Sequence, residues 1–210
     1  METRARRQRE RQDRHEAILD AAEAVFFSKG YARATMHDIA IASQVSRPLL
    51  YVYFTDKPAI MRGIMLRAAQ SLHDRFIAAL QTSDVGAGQI QALGQAYYRF
   101  SLEQPDYFDA LTDASSGVHA GAGEAPDPEL AGCAADTMGL MVSALERGVG
   151  DGSLSAERVR DPMTTAYYLR GAVHGVIMQC RSLSEVNPGY PAPEELVNYT
   201  LIMLGRSMAP

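Results

Sequence analysis

The sequence predicts an all-α protein, and three observations carry that expectation. Apolar residues recur at spacings of three and four along most of the chain, no segment alternates with period two over any length, and helix start and stop residues fall at the ends of the apolar stripes. From Arg14 to Lys29, Ile18, Ala22, Val25 and Phe26 keep helical spacing, and Lys29-Gly30 supplies the stop. A second helix opens at Thr35, a good N-cap, and runs through Ile39 and Ala40 to about Ser43. A third opens at Ser46, with Pro48 in the first turn, where a missing N–H costs nothing. Asp56 caps a long fourth helix whose stripe is Met61, Met65, Ala68, Leu72, Phe76 and Ala79.

Beyond Asp84-Val85-Gly86 a fifth helix covers about Gln89 to Glu103, Pro105 ends it, and a short one follows over Tyr107 to Leu111. Residues 117–128, "GVHAGAGEAPDP", have the composition of a mobile loop. Helices over 129–149, 161–182 and 193–208 complete the chain, with "GDGSLS" and "EVNPGYPAP" between them. In the last helix Leu196, Val197, Tyr199, Leu201, Ile202, Met203 and Leu204 surround the whole circumference. A helix apolar on every side is buried on every side, which at this position points to a subunit interface. Gly171 and Gly175, four apart, let a second backbone come close. The two final helices are therefore expected to pair with their symmetry mates in a homodimer, through Gly171, Gly175, Val197, Leu201 and Leu204.

Length and composition bound the function. At 210 residues, 47% hydrophobic and 21% charged, the chain is long enough for one full core and a smaller module, and no apolar run approaches the roughly 20 residues of a membrane span. The arginine-rich start has no apolar stretch behind it and does not read as a secretory signal. Cys133 and Cys180 form no CxxC and have no metal-ligand spacing, so they read as reduced thiols of a cytoplasmic protein with no metal and no cofactor. Five histidines (15, 37, 73, 119 and 174) form no HExxH, no serine or cysteine sits in a nucleophile motif, and there is no glycine-rich phosphate loop. An enzyme is the least favoured class.

The net charge of -5 hides an asymmetry. Residues 1–57 carry ten Lys and Arg against eight Asp and Glu, residues 58–210 ten against seventeen, and the first fourteen alone hold six arginines against three acids. A basic arm (1–13) on a mildly basic module (14–57), joined to an acidic body (58–210), predicts that one end meets a polyanion.

The segment "TMHDIAIASQVSRPLLYVYF", residues 35–54, is two short helices around a tight turn, a helix-turn-helix. Ile39, Val45, Leu50 and Phe54 point inward, with Val25 and Phe26 bracing from the first helix. Tyr51 and Tyr53 put apolar rings on the module and hydroxyls at its rim, suited to phosphate oxygens. Thr35 opens a helix whose N-terminal amides attract anions, and Lys57 adds a charge nearby. Arg47 and Leu49 take the exposed edge of the third helix, Arg47 suited to guanine and Leu49 to a thymine methyl.

On these residues the chain resembles the DNA-binding domain of TetR-family transcriptional repressors. Thr35, Ile39-Ala40, Val45-Ser46, Leu50-Tyr51, Phe54 and Lys57 stand in register across "AILDAAEAVFFSKGYARATMHDIAIASQVSRPLLYVYFTDKPAI", residues 17–60. The resemblance implies an all-α homodimer of two-domain subunits on a palindromic DNA operator, released by a small molecule held in the C-terminal domain. The DNA-contacting set is then Thr35, Ser46, Arg47, Pro48, Leu49, Tyr51, Tyr53 and Lys57. "AYYRFSLEQPDYFDALT" and "RGAVHGVIMQC" are similar to the Pro-containing junction and His-Gly helix of one TetR C-terminal subtype, with Arg170 where a tryptophan is often found.

Gln44 stands where the family's turn usually has glycine; a left-handed backbone there costs a side chain about 1 kcal/mol. Pro58 replaces a commonly acidic residue. Candidate effector residues are Tyr97, Tyr98, Phe100, Phe108, Met138, Met141, Tyr167, His174 and Met178, whose methionine-rich helices suit a largely apolar small molecule. The alternative is a DNA-binding regulator that acts without an effector or senses a partner protein.

Overall fold

The computed structural model describes residues 2–115, 127–183 and 189–210, with the side chains of 2–3, 113–115 and 183 left aside. Among the described residues every regular element is an α-helix: α1 (Glu2–Lys29), α2 (Met36–Ala42), α3 (Arg47–Tyr53), α4 (Lys57–Leu80), α5 (Gly86–Glu103), α6 (Pro105–Ser115), α7 (Pro128–Gly150), α8 (Pro162–Leu183) and α9 (Pro193–Met208). The chain gathers into two compact units, Met1–Ala68 with Asp109–Leu130, and Ala69–Phe108 with Ala131–Pro210, so α4 belongs to both. No described helix is long and apolar enough to cross a membrane. His119 and most of the 117–128 stretch lie outside the described residues.

In the first unit α1 packs on α2, and Ile18, Leu19, Ala22 and Phe26 from α1 are buried together with Ile39, Ala40, Leu50, Phe54, Ile60 and Ile64. Val25 and Val45 are only half-buried. A cation ties α1 to α4 on the other side: Arg67 donates to Glu23 at 2.8 Å, to Asp20 at 2.9 Å and to Glu16. That hydrogen bond from Arg67 holds the Glu16 carboxyl below its ordinary range against the opposing effect of burial.

The start of α1 differs from the sequence expectation. The helix does not begin near Arg14 but continues back to Glu2. Residues 2–13 contain no glycine or proline, and extending an existing helix adds one hydrogen bond per residue without a new nucleus.

The second unit buries Phe76, Leu93, Met138, Met141, Ala144, Leu145, Leu154, Ala166, Leu169 and Met208 as one cluster. Its α5 starts three residues earlier than expected, at Gly86. The Gly86 amide donates to Asp151 Oδ2 at 2.8 Å and the Ala87 amide to Ser153 Oγ at 3.0 Å, so the "GDGSLS" loop caps this helix from 65 residues away. Helix α6 likewise runs longer than expected, from Pro105 to Ser115.

Candidate nucleic-acid interface and effector site

The head is built by local caps. Thr35 Oγ1 accepts from the Asp38 amide at 3.2 Å while the Thr35 amide donates to Asp38 Oδ2 at 3.0 Å, a reciprocal box that starts α2. Lys29 adds an ion pair to Asp38 at 2.7 Å; the hydrogen bonds from Lys29 and Thr35 hold the Asp38 carboxyl down at about 2. Helix α2 closes with the Gln44 amide bonded to the Ile41 carbonyl and the Val45 amide to the Ala40 carbonyl, both at 3.1 Å, the two bonds of a Schellman motif. That motif needs a left-handed residue between them, and Gln44 has φ 54°, the only non-glycine positive φ among the described residues. Ser46 Oγ then accepts from the Leu49 amide to start α3.

The turn fixes which side of α3 faces outward. Leu50 and Phe54 are buried, whereas Arg47, Pro48, Leu49, Tyr51 and Val52 are exposed. The Arg47 guanidinium lies 5.8 Å from the Tyr51 ring centre, so the tyrosine one turn on braces the cation at the helix surface. At the far end of α3 the Phe54 ring stacks on His15 of α1, centroids 4.6 Å apart.

In the second unit a group of rings surrounds one hydrogen bond. Tyr97 Oη and His174 Nδ1 lie 2.8 Å apart, Phe108 is 5.5 Å from the Tyr97 ring and 5.8 Å from His174, and Phe100 is 6.3 Å from Phe108. Burial pushes the Tyr97 hydroxyl up to about 12. Burial, then the charge of Arg170, lowers His174 from its ordinary value, so the imidazole is held neutral.

A family model described as "Bacterial regulatory proteins, tetR family" matches residues 18–64, and one described as "Tetracyclin repressor-like, C-terminal domain" matches residues 90–197, just over half of the chain. The chain belongs to the TetR family. That family is one of bacterial regulatory proteins. It is 31% identical to the HTH-type transcriptional activator FasR of Mycolicibacterium smegmatis over 90 residues, 43% of this chain and 41% of that one. It is 35% identical to the HTH-type transcriptional repressor BepR of Brucella suis over 88 residues, 37% of this chain and 42% of that one. The chain thus spans about two fifths of the length of the curated relatives it matches. A solved structure of a protein of unknown function from Rhodococcus sp. RHA1 superposes with a TM-score of 0.78 at 17% identity, covering 94% of this chain and 96% of that one, which shows a shared fold.

Within this TetR-family chain the structure redistributes several residues singled out from the sequence. Lys57 is turned inward: its Nζ donates to the Tyr31 carbonyl at 2.9 Å and the Ala34 carbonyl at 3.0 Å, and lies 4.3 Å from the Tyr31 ring centre. It closes the loop between α1 and α2. The amides of Thr35 and Asp38 at the start of α2 are already taken by the capping box, beside a carboxylate, which leaves that end less open to an anion than the sequence implied. Tyr53 is half-buried and Tyr51 exposed. Val52, not singled out from the sequence, is 65% exposed on α3, one turn after Pro48 on the helix surface.

Among the effector candidates, Tyr97, Phe100, Phe108 and His174 come together, while Met138 and Met141 belong to the buried core cluster. Tyr98 and Met178 are half-buried. Tyr167 is 57% exposed, on the outer side of α8, because Ala166 and Leu169 occupy the inward positions. The interface set also splits. Val197 and Leu201 are buried inside their own subunit and Leu204 packs on its core, with Leu201 fitting where Gly94 of α5 has no side chain. Gly171 and Gly175 are exposed, with open space where a Cβ would stand. The large apolar residues α9 turns outward are Tyr199, Ile202 and Met203.

Proposed function

We propose that this chain is a homodimeric regulator, with 14–57 as the DNA-reading head and 58–210 as the ligand-binding and dimerisation domain, that binds a palindromic operator and leaves it when a small, largely apolar effector occupies the second unit. The observation that carries the reading is the outward row Arg47, Pro48, Leu49, Tyr51 and Val52 on α3, held over buried Leu50 and Phe54. An exposed row beginning with Arg and flanked by a tyrosine hydroxyl provides one group suited to guanine, apolar contacts suited to thymine methyls, and a donor for phosphate. Tyr51, Tyr53, Ser46 and Thr35 remain the proposed positioning contacts; Lys57 supports them from beneath by holding the loop ahead of α2.

Dimerisation is supported by an apolar outer face that a monomer leaves in water. Met163, Tyr167, Gly171 and Gly175 recur every four residues along α8, beside Tyr199, Ile202 and Met203 on α9. Large exposed side chains around open glycines suit a second copy of the same helix pair. A dimer implies operator half-sites with centres about 34–36 Å apart, or a multiple of that.

The effector reading rests on the Tyr97–His174 hydrogen bond inside rings of Phe100 and Phe108, an apolar setting with one polar handle. The same bond also favours a second reading, a regulator without an effector, because both polar groups are already satisfied by each other. Of the two relatives above, one is named an activator and the other a repressor; repression is the direction proposed here. Selection of bound sequences from random duplex DNA, followed by addition of candidate apolar compounds to the selected complex, tests all of this. The reading expects a palindromic site and at least one compound that dissociates the complex. A selection yielding no site rejects the operator, and a complex indifferent to every compound class favours the second reading.

A further inference from the structure

The extension of α1 beyond the head has a sided charge pattern. Arg4, Arg7, Arg11 and Arg14 are spaced three, four and three apart, which at 100° per residue places them within one quarter of the helix circumference. The same side of α1, one turn later, is the side that buries Ile18 and Ala22 in the head. The face of α1 that packs on the head therefore changes from apolar to arginine where the head ends. Arg6 and Arg9 lie on the opposite side, and Arg6 is paired with Glu10 at 3.4 Å. All four arginines of the stripe are exposed, and none has an ion pair recorded among the described residues.

Two further observations place and explain the stripe. His15, the residue after Arg14, stacks on Phe54 at the C-terminal end of α3, so the arginines leave the head beside the end of the helix that presents Arg47, Tyr51 and Val52. Moreover, Arg4 sits in the first turn of α1, where the helix dipole favours negative charge. Four like charges at spacings of three and four also repel one another, a cost that needs an anionic partner to offset it. An anionic surface next to the head supplies it.

We propose that the Arg4–Arg7–Arg11–Arg14 face, kept helical, lies along the DNA phosphates flanking the half-site read by α3. The four guanidinium groups spread over about 15 Å, enough to meet several phosphates of one strand. A helix about 10 Å across fits a track along the backbone and does not fit into a minor groove about 6 Å wide, the place an extended arm would take. The inference rests on the operator reading above.

The test compares two charge-matched double variants of the full chain on one selected operator with flanking DNA. Arg7→Gln with Arg11→Gln alters the stripe; Arg6→Gln with Arg9→Gln alters the opposite face. The stripe variant removes two cations from each subunit of the dimer and is expected to reduce the slope of log affinity against log salt by about 4, so that wild type loses roughly a hundredfold more affinity than the variant between 50 and 200 mM salt. Phosphate ethylation outside the half-sites should interfere with wild type and with the opposite-face variant, and no longer with the stripe variant. Equal slopes for both variants, or no change in either, overturn the proposal, as does loss of an A·T preference in the flanks with the slope intact, which marks minor-groove entry. Arg47→Ala separates the two ideas: it should relax sequence preference while leaving flank interference in place. A wild-type chain that binds no duplex rejects the operator reading and this one with it.

Discussion

Gln44 offers the most direct check on how the head is held. Its φ of 54° lies in the left-handed region, its side chain is exposed, and no hydrogen bond of that side chain is recorded, so a change there perturbs the backbone alone. An L-residue in this conformation carries a cost of roughly 1–2 kcal/mol, which glycine avoids. Glycine returns roughly 0.4–1 kcal/mol of that through its greater freedom in the unfolded chain. Gln44→Gly should therefore stabilise by about 0.5–1 kcal/mol, which for a domain of this size raises Tm by roughly 1–4 °C. Gln44→Val should move the other way, by about 1 kcal/mol, because a β-branched side chain fits the left-handed region worst. Urea unfolding followed by circular dichroism, at fixed protein concentration because dimer stability depends on it, reads the midpoints. A Gly variant with a lower midpoint and an unchanged m-value, or a Val variant equal to wild type, refutes the Schellman-turn account.

Further outcomes follow from other contacts. Lys57→Met should destabilise the head by about 1–3 kcal/mol in urea unfolding, since it leaves the Tyr31 and Ala34 carbonyls without their donor; a variant with unchanged stability and only a flatter salt dependence of DNA binding would return Lys57 to the phosphate-contacting set. Gly86→Ala should cost at least about 2 kcal/mol, because the added methyl would collide with the Gly148 backbone and the Ala144 carbonyl; a Tm equal to wild type would rule out the close approach of α5 and α7. Because burial and Arg170 lower the folded His174 pKa, the unfolded chain takes up that proton first, so the His174 contribution to stability is intact above about pH 6.5 and declines as the pH falls below it. Urea midpoints at pH 7.5 and 5.5 should fall further for wild type than for His174→Gln; equal falls would place the imidazole in a more solvated setting.

Much of the head was legible because its determinants are local. Thr35, Ser46 and Asp56 each cap the helix that follows within three residues, and the inward positions Ile39, Leu50 and Phe54 follow from helical spacing. The left-handed Gln44 was expected only through the family resemblance, in which glycine usually holds that place of the turn. What was not legible depends on partners distant in sequence. Lys57 turns inward because carbonyls 23 and 26 residues earlier lie beneath it. Leu201 goes inward because Gly94, on another helix, leaves it room.

The sequence by itself determined that the chain is helical, where most helices start and stop, and which short segment forms the head, since caps and apolar spacing act within a turn or two of the backbone. Only the tertiary structure decided which sides of α8 and α9 face the subunit, that α1 continues as an arginine-striped helix beside the end of α3, and that Tyr97 meets His174 across 77 residues. A helix apolar on all sides, or a basic run without an apolar stripe, leaves several packings nearly equal in local energy; contacts between remote segments select among them.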